Sequence, residues 1–198
     1  MNTKMLLLLS GLLALSACGP TDTAEQPSTD SQAVPATLKQ DDNGHYSIYR
    51  EGEPYFIRGA GGTSRLEQLA EAGANSVRTW DTDNAERILD EAQAHGLTVM
   101  LGLRMGKERH GFDYSDEEAV KVQKAQIREQ VLRYKDHPAL LTWGIGNELD
   151  LFYTDTNVWY AVEDIARMIR ELDPHHLITT VTAGIDQEKS DLIQERVP

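Results

Sequence analysis

The run Ala139-Leu140-Leu141-Thr142-Trp143-Gly144-Ile145 breaks its apolar character only at Thr142. A strand with one face in water alternates apolar and polar residues, because successive side chains point to opposite faces of the sheet. A strand without that alternation must be covered on both sides, and sheets of that kind are parallel and flanked by helices. Leu97-Thr98-Val99-Met100-Leu101 reads the same way.

The intervals between these strands agree. Ser64 to Ala72 carries Leu66, Leu69 and Ala70 at helical spacing and is stopped by Gly73, and Asn75 to Trp80 reads as a strand. Asn84 to His95 puts Ile88, Leu89 and Ala92 on one face and ends at Gly96. A polar loop from Arg104 to Ser115 precedes an amphipathic helix over Asp116 to Tyr134, and a helix from Asn157 to Leu172 leads to a strand at Leu177–Val181. Upstream, Tyr46–Tyr49 alternates, Glu51–Pro54 is turn chemistry, and Tyr55-Phe56-Ile57 reads as the first buried strand, ended by Gly59–Gly62. Strands alternating with helices imply right-handed βαβ units, about five βα steps preceded by a short β-hairpin. Two α/β architectures fit: an open doubly wound sheet, or the first part of a (β/α)8 TIM barrel.

Residues 1–17 stand apart. Lys4 precedes an apolar run from Met5 to Leu15, too short to span a bilayer and laid out as a secretory signal. The following Leu15-Ser16-Ala17-Cys18 resembles the lipobox of bacterial lipoproteins, which implies cleavage before Cys18 and lipid on its sulfur. Residues 18–40, with Pro20, Pro27 and Pro35 among small polar side chains, bury too little apolar surface to order, so a flexible tether is expected. Residues 41–198 are then the folded domain. The expectation is an exported protein, lipid-anchored in the bacterial envelope at the outer membrane.

Charge and cysteine count exclude several classes. A formal charge of −13 argues against a nucleic-acid partner, since phosphate binding needs a basic surface. One cysteine leaves no disulfide framework and no multi-cysteine metal motif. There is no His-Glu-x-x-His; the six histidines are scattered, and His175-His176 reads as a surface turn. Neither a metal nor another cofactor is expected. Gly59-Ala60-Gly61-Gly62 with Asp81 suggests a dinucleotide fingerprint, but Ser64 stands where a third small residue is needed and no Gly-Lys-Ser/Thr occurs. A tight turn requiring small residues accounts for it better.

The segment from His137 to Glu148 is more specific, because its apolar strand runs straight into Gly146-Asn147-Glu148. A carboxylic acid beside an amide at the carboxyl end of a parallel strand sits where α/β active sites lie. This stretch resembles the acid/base strand of clan A glycoside hydrolases, retaining enzymes built on (β/α)8 barrels. Residues 73–80 are similar to their second strand, 96–99 to their third, and Tyr55–Gly59 to their first. The likeness spans about residues 45–182 and is nearest to families 2 and 5; the Gly-Asn-Glu ending is also similar to the β-1,3-glucanosyltransferases of family 72.

Retaining glycoside hydrolysis needs two carboxyl groups about 5–5.5 Å apart, a proton donor and a nucleophile. The resemblance implies that Glu148 is the donor, that Asn147 hydrogen-bonds the sugar 2-hydroxyl, and that Arg78 is the arginine that holds the nucleophile ionised. Asn147 and Glu148 can reach one sugar only if the pleat breaks there, and Gly144 and Gly146 allow such a break. Trp80, Asp81 and Asp83 are candidates for a sugar subsite, against core packing for Trp80 and helix capping for Asp83. His110, Phe112, Asp113 and Tyr114 lie in the loop after the third strand, where a barrel keeps substrate contacts.

A full barrel takes about 250 residues, and 158 follow Gln40. A fragment of a longer protein is therefore expected, with the nucleophile beyond residue 198; Glu188 and Glu195 follow no strand and do not qualify. The implied activity is that of a retaining β-glycosidase on an oligo- or polysaccharide. The alternatives are a non-catalytic, lipid-anchored glycan-binding protein or a β-1,3-glucanosyltransferase.

Overall fold

The computed structural model describes residues 33–196. The signal segment, Cys18 and most of the tether lie outside that range. Two sheets form. The first is antiparallel, of β1 (Ala36–Gln40), β2 (Tyr46–Arg50) and β3 (Glu53–Pro54), paired in that order. The tether expected to reach Gln40 thus ends sooner. Ala36 is buried, its amide donates to the His175 carbonyl at 2.9 Å, and residues 36–40 pair with 46–50. Backbone pairing outweighs the weak apolar content that marked this stretch as tether.

The second sheet is parallel, with strands β4 (Gly59–Gly61), β5 (Ser76–Arg78), β6 (Thr98–Leu103), β7 (Leu140–Ile145) and β8 (Leu177–Thr180) in sequential order. Each is followed by a helix: α1 (Leu66–Glu71), α2 (Ala85–Ala94), α3 (Glu117–Tyr134), α4 (Asn157–Leu172) and α5 (Gln187–Arg196). A doubly wound sheet reverses its strand order at a switch point. This sheet advances one neighbour at a time, as a (β/α)8 barrel does, and is the five-unit part of one.

The first parallel strand is Gly59–Gly61, not Tyr55–Ile57. Phe56 and Ile57 are exposed, while a Cβ on Gly59 would overlap the Ser76 carbonyl of the neighbouring strand. The glycines serve close strand approach, which replaces both the dinucleotide reading and the simple turn.

Burial is greatest at the centre of the sheet. All six residues of β7 are buried, and Leu101, Leu103, Trp143 and Ile145 belong to one core with Ile88 and Leu89 of α2, Ile127 and Val131 of α3, and Trp159, Val162 and Ile165 of α4. Each such side chain contributes about 1.5–3 kcal/mol when fully removed from water. All three residues of β4, at the sheet edge, are exposed.

His176 is not at the surface. It is buried, and its Nδ1 lies 2.8 Å from Asp173 Oδ2, which also accepts from Trp143 Nε1 at 2.7 Å. The chain must turn tightly between α4 and β8, and this network satisfies the polar groups that the turn carries inside. The antiparallel sheet lies at the same end: Arg50 Nη2 donates to the Pro138 carbonyl at 2.7 Å, just before β7. The opposite, carboxyl edge of the parallel sheet stays open.

Candidate active site

The chain leaves β7 through two left-handed residues. Gly146 has φ 67° and Glu148 has φ 51°, a conformation uncommon for a residue with a side chain. The Gly146 amide donates to the Leu103 carbonyl at 2.9 Å and the Glu148 amide to that of Val181 at 2.8 Å. The pleat breaks where the two glycines allow it, and both neighbouring strands pin the broken segment. Buried Leu149 anchors it from below.

Arg78, at the end of β5, donates through Nη2 to Asn147 Oδ1, and its guanidinium carbon lies 5.6 Å from the centre of the Trp80 ring. Trp80 is 44% exposed, so it is not core. Asp81 and Asp83 both hold Arg104 Nη2, at 2.7 and 3.0 Å, and these bonds raise the guanidinium pKa further. Asp83 does not cap α2, whose N-cap is Asn84.

An open cleft of about 590 Å³ adjoins these residues, lined by Trp80, Asp81, Arg104, Lys107, His110 and Asn147 together with Gly106 and Phe112. Glu148 is not on that lining. Its side chain is 44% exposed beside the cleft, its carboxylate 3.8 Å from Arg109 Nη2.

The loop after β6 divides into scaffold and surface. Gly106 donates to Gln123 Oε1 at 2.5 Å and accepts from the buried Tyr114 hydroxyl at 2.6 Å, while the Phe112 and Tyr114 rings meet at 4.7 Å. Asp113 accepts from the Ser115 amide and hydroxyl, bonds that lower its pKa. Phe112, Asp113 and Tyr114 therefore shape the loop, and only His110 of the four candidates there offers a polar side chain to the cleft.

Three residues emerge that the sequence reading passed over. Arg109 donates to the Glu148 carbonyl, and at 3.4 Å to that of Leu151, holding the left-handed turn. The Glu108 carboxylate accepts from the Thr154 amide and hydroxyl and the Asp155 amide at 2.6–3.0 Å, clamping the loops after β6 and β7 together; the Asp155 amide chiefly lowers its pKa. Lys107 stands on the cleft wall. The visible signal was the basic cluster Arg104, Lys107 and Arg109 in an otherwise acidic chain.

The family model of glycosyl hydrolases family 2, TIM barrel domain, matches residues 64–197. The probable mannan endo-1,4-β-mannosidase A-2 of Aspergillus terreus is 27% identical over 184 residues, covering 88% of this chain and 40% of that protein. Mannan endo-1,4-β-mannosidase F of Aspergillus clavatus is 28% identical over 141 residues, 64% of this chain and 30% of its own. The chain thus spans two fifths or less of the length of these curated relatives. Among solved structures, the β-1,4-D-mannanase from Cryptopygus antarcticus superposes with a TM-score of 0.60 at 13% identity, over 77% of this chain and 61% of its own. A Faecalibacterium prausnitzii β-glucuronidase gives 0.60 at 19%, over 78% and 29%. At such identities the likeness is one of fold.

Proposed function

This chain belongs to the TIM barrel domain of glycosyl hydrolase family 2, and we propose that it carries the general acid/base, Glu148, of a retaining β-glycosidase acting on glycans. The observation that supports this most is the placement of Glu148: a carboxyl group just past the fourth parallel strand, on a kinked segment beside an open cleft, next to an asparagine held by Arg78.

In this role Glu148 protonates the glycosidic oxygen as the bond breaks, then takes a proton from the water that releases the sugar. Asn147 Oδ1 is occupied by Arg78, which leaves its amide NH2 to donate to a sugar hydroxyl. Trp80 presents a ring face for stacking on a pyranose. Asp81 and Asp83 are tied to Arg104, so the second carboxylate is proposed to come from the longer parent rather than from this wall of the cleft. The mannan endo-1,4-β-mannosidase relatives favour a β-linked polysaccharide as the substrate class. Lipidation at Cys18, and anchoring to the cell envelope through it, belong to the same proposal and rest on the lipobox order of residues 15–18.

The test uses the intact protein. Removing a proton donor slows poor leaving groups most. Glu148→Ala should depress turnover of natural glycans far more than of activated aryl β-glycosides, and azide should restore part of it. Equal loss on both substrates without azide rescue would overturn the assignment.

A further inference from the structure

Four cations stand on or beside the cleft, in a chain whose formal charge is −13. Three have partners. Arg104 is held by Asp81 and Asp83, Arg109 faces Glu148 and two backbone carbonyls, and Arg78 binds Asn147. Lys107 is different. It is half-buried on the cleft wall, and among the described residues its ammonium has neither a hydrogen bond nor an ion pair. Burial first, and then the charges of Arg109 and Arg104, hold its pKa below the ordinary lysine value against an opposing pull from Glu148. That ammonium keeps contact with water but is partly desolvated and has two like charges as neighbours, a balance that an incoming anion would improve. His110, on the same wall, adds a second polar group.

We propose that the cleft receives a glycan bearing an anionic substituent, a uronate carboxylate or a sulfate ester, and that Lys107 binds that charge with His110 beside it. The inference rests on the glycosidase reading only for the identity of the ligand as a glycan. It follows from the fold that the site exists at all. Lys107 stands two residues before Arg109 in the loop after β6, so the loop that steadies Glu148 also sets a positive charge on the adjoining wall. A purely neutral polysaccharide would leave that ammonium without a charge partner among the described residues. Lys107 is a binding group, with no part in bond cleavage.

The experiment measures equilibrium binding by titration calorimetry, using the intact protein carrying Glu148→Gln so that probes are not consumed. Three β-linked tetrasaccharides of one backbone serve as probes: neutral, uronate-bearing and O-sulfated. At least one anionic probe should bind about tenfold more tightly than the neutral one, the size of one charge-assisted hydrogen bond. Adding Lys107→Gln should abolish that difference and leave neutral binding unchanged, Lys107→Arg should keep it, and raised ionic strength should weaken only the anionic probes. Whichever anionic probe gains identifies the group. Neutral binding equal to or tighter than both anionic probes overturns the inference. So does a Lys107→Gln loss shared by all three, or failure to bind either anionic probe. Binding is read without turnover, so the two readings can fail separately. Charge-selective binding by the Glu148→Gln protein, with a wild type that hydrolyses none of the three probes, would sink the glycosidase reading and leave Lys107 in place.

Discussion

The Arg78 guanidinium donates through Nη2 to Asn147 Oδ1, joining the ends of β5 and β7 across β6 between residues 69 positions apart. The bond fixes which way the asparagine amide faces, so its donor side is presented to the cleft. It also holds the Arg78 guanidinium near the Trp80 ring at 5.6 Å. A side chain at the end of β5 thereby orients a hydrogen-bonding group just past β7 and stands beside an aromatic ring two residues further along its own segment.

Lysine cannot reproduce that contact, because its point charge lacks the planar fork of the guanidinium. Arg78→Lys in the intact protein should lower kcat about 10- to 100-fold, the equivalent of about 1.5–3 kcal/mol for a hydrogen bond to a charged group. KM should change less, and the thermal midpoint should hold, since Arg78 packs no core. Steady-state kinetics beside a melting curve would show whether the loss is functional.

Gly102 and Gly144 face each other on β6 and β7, and alanine should not be equivalent at the two. A Cβ on Gly102 would overlap the Trp80 backbone and come within 2.7 Å of the Asp81 amide nitrogen, atoms that cannot move aside. On Gly144 the nearest atom is the Met100 methyl at 2.9 Å, the free end of a flexible side chain. Gly102→Ala should cost about 1–3 kcal/mol, as overpacking does, and Gly144→Ala clearly less. Denaturant titrations of the two variants give the comparison directly.

Asp173 should make stability pH-dependent. Burial alone would raise its pKa, but the bonds from His176 and Trp143 outweigh it, so the folded value lies below the ordinary 3.8. A carboxylate depressed in the folded state stabilises fully above its unfolded pKa, and that contribution fades as pH falls toward the folded value. Wild-type stability should therefore drop below about pH 4. Asp173→Asn should be less stable at neutral pH and should flatten this part of the acid limb. Unfolding midpoints across pH 2.5–7 for the two proteins, at about half-unit steps, would expose an unchanged slope if the pairing is inert.

The anchoring proposed above rests on a single atom, the Cys18 sulfur. Cys18→Ser should move the protein from the membrane to the soluble fraction of its native host, because one hydroxymethyl group cannot accept the lipid. Fractionation and immunoblotting would settle the matter, and a serine variant that stays with membranes would remove the anchor assignment.

Much of this architecture was legible in the chain. The apolar run of β7, the helical spacing of α2 and α4, and the polar pair after Ile145 are local patterns, each set by the period of its own element. The Asn147-Glu148 kink was foreseeable as well, since Gly146 supplies the left-handed residue that a break requires. Strand propensity misled at Tyr55–Ile57, where apolar side chains suit a strand but the neighbouring backbone comes so close that only Gly59 fits. His176 misled in the same way, because a polar dipeptide beside Pro174 gives no sign of the Trp143 and Asp173 side chains that enclose it.

The sequence by itself determined the parallel α/β class, the order of its elements and the position of Asn147 and Glu148 at a strand end, because hydrophobic period and turn residues act over a few neighbours. The tertiary structure decided the sequential strand order that excludes a doubly wound sheet. It decided as well the union of Arg78 with Asn147, the hold of Arg109 on Glu148, and the place of Lys107 on the cleft wall. Those depend on which strand lies beside which, and on the burial and electric field at one point in space. Residues dozens of positions apart set both together.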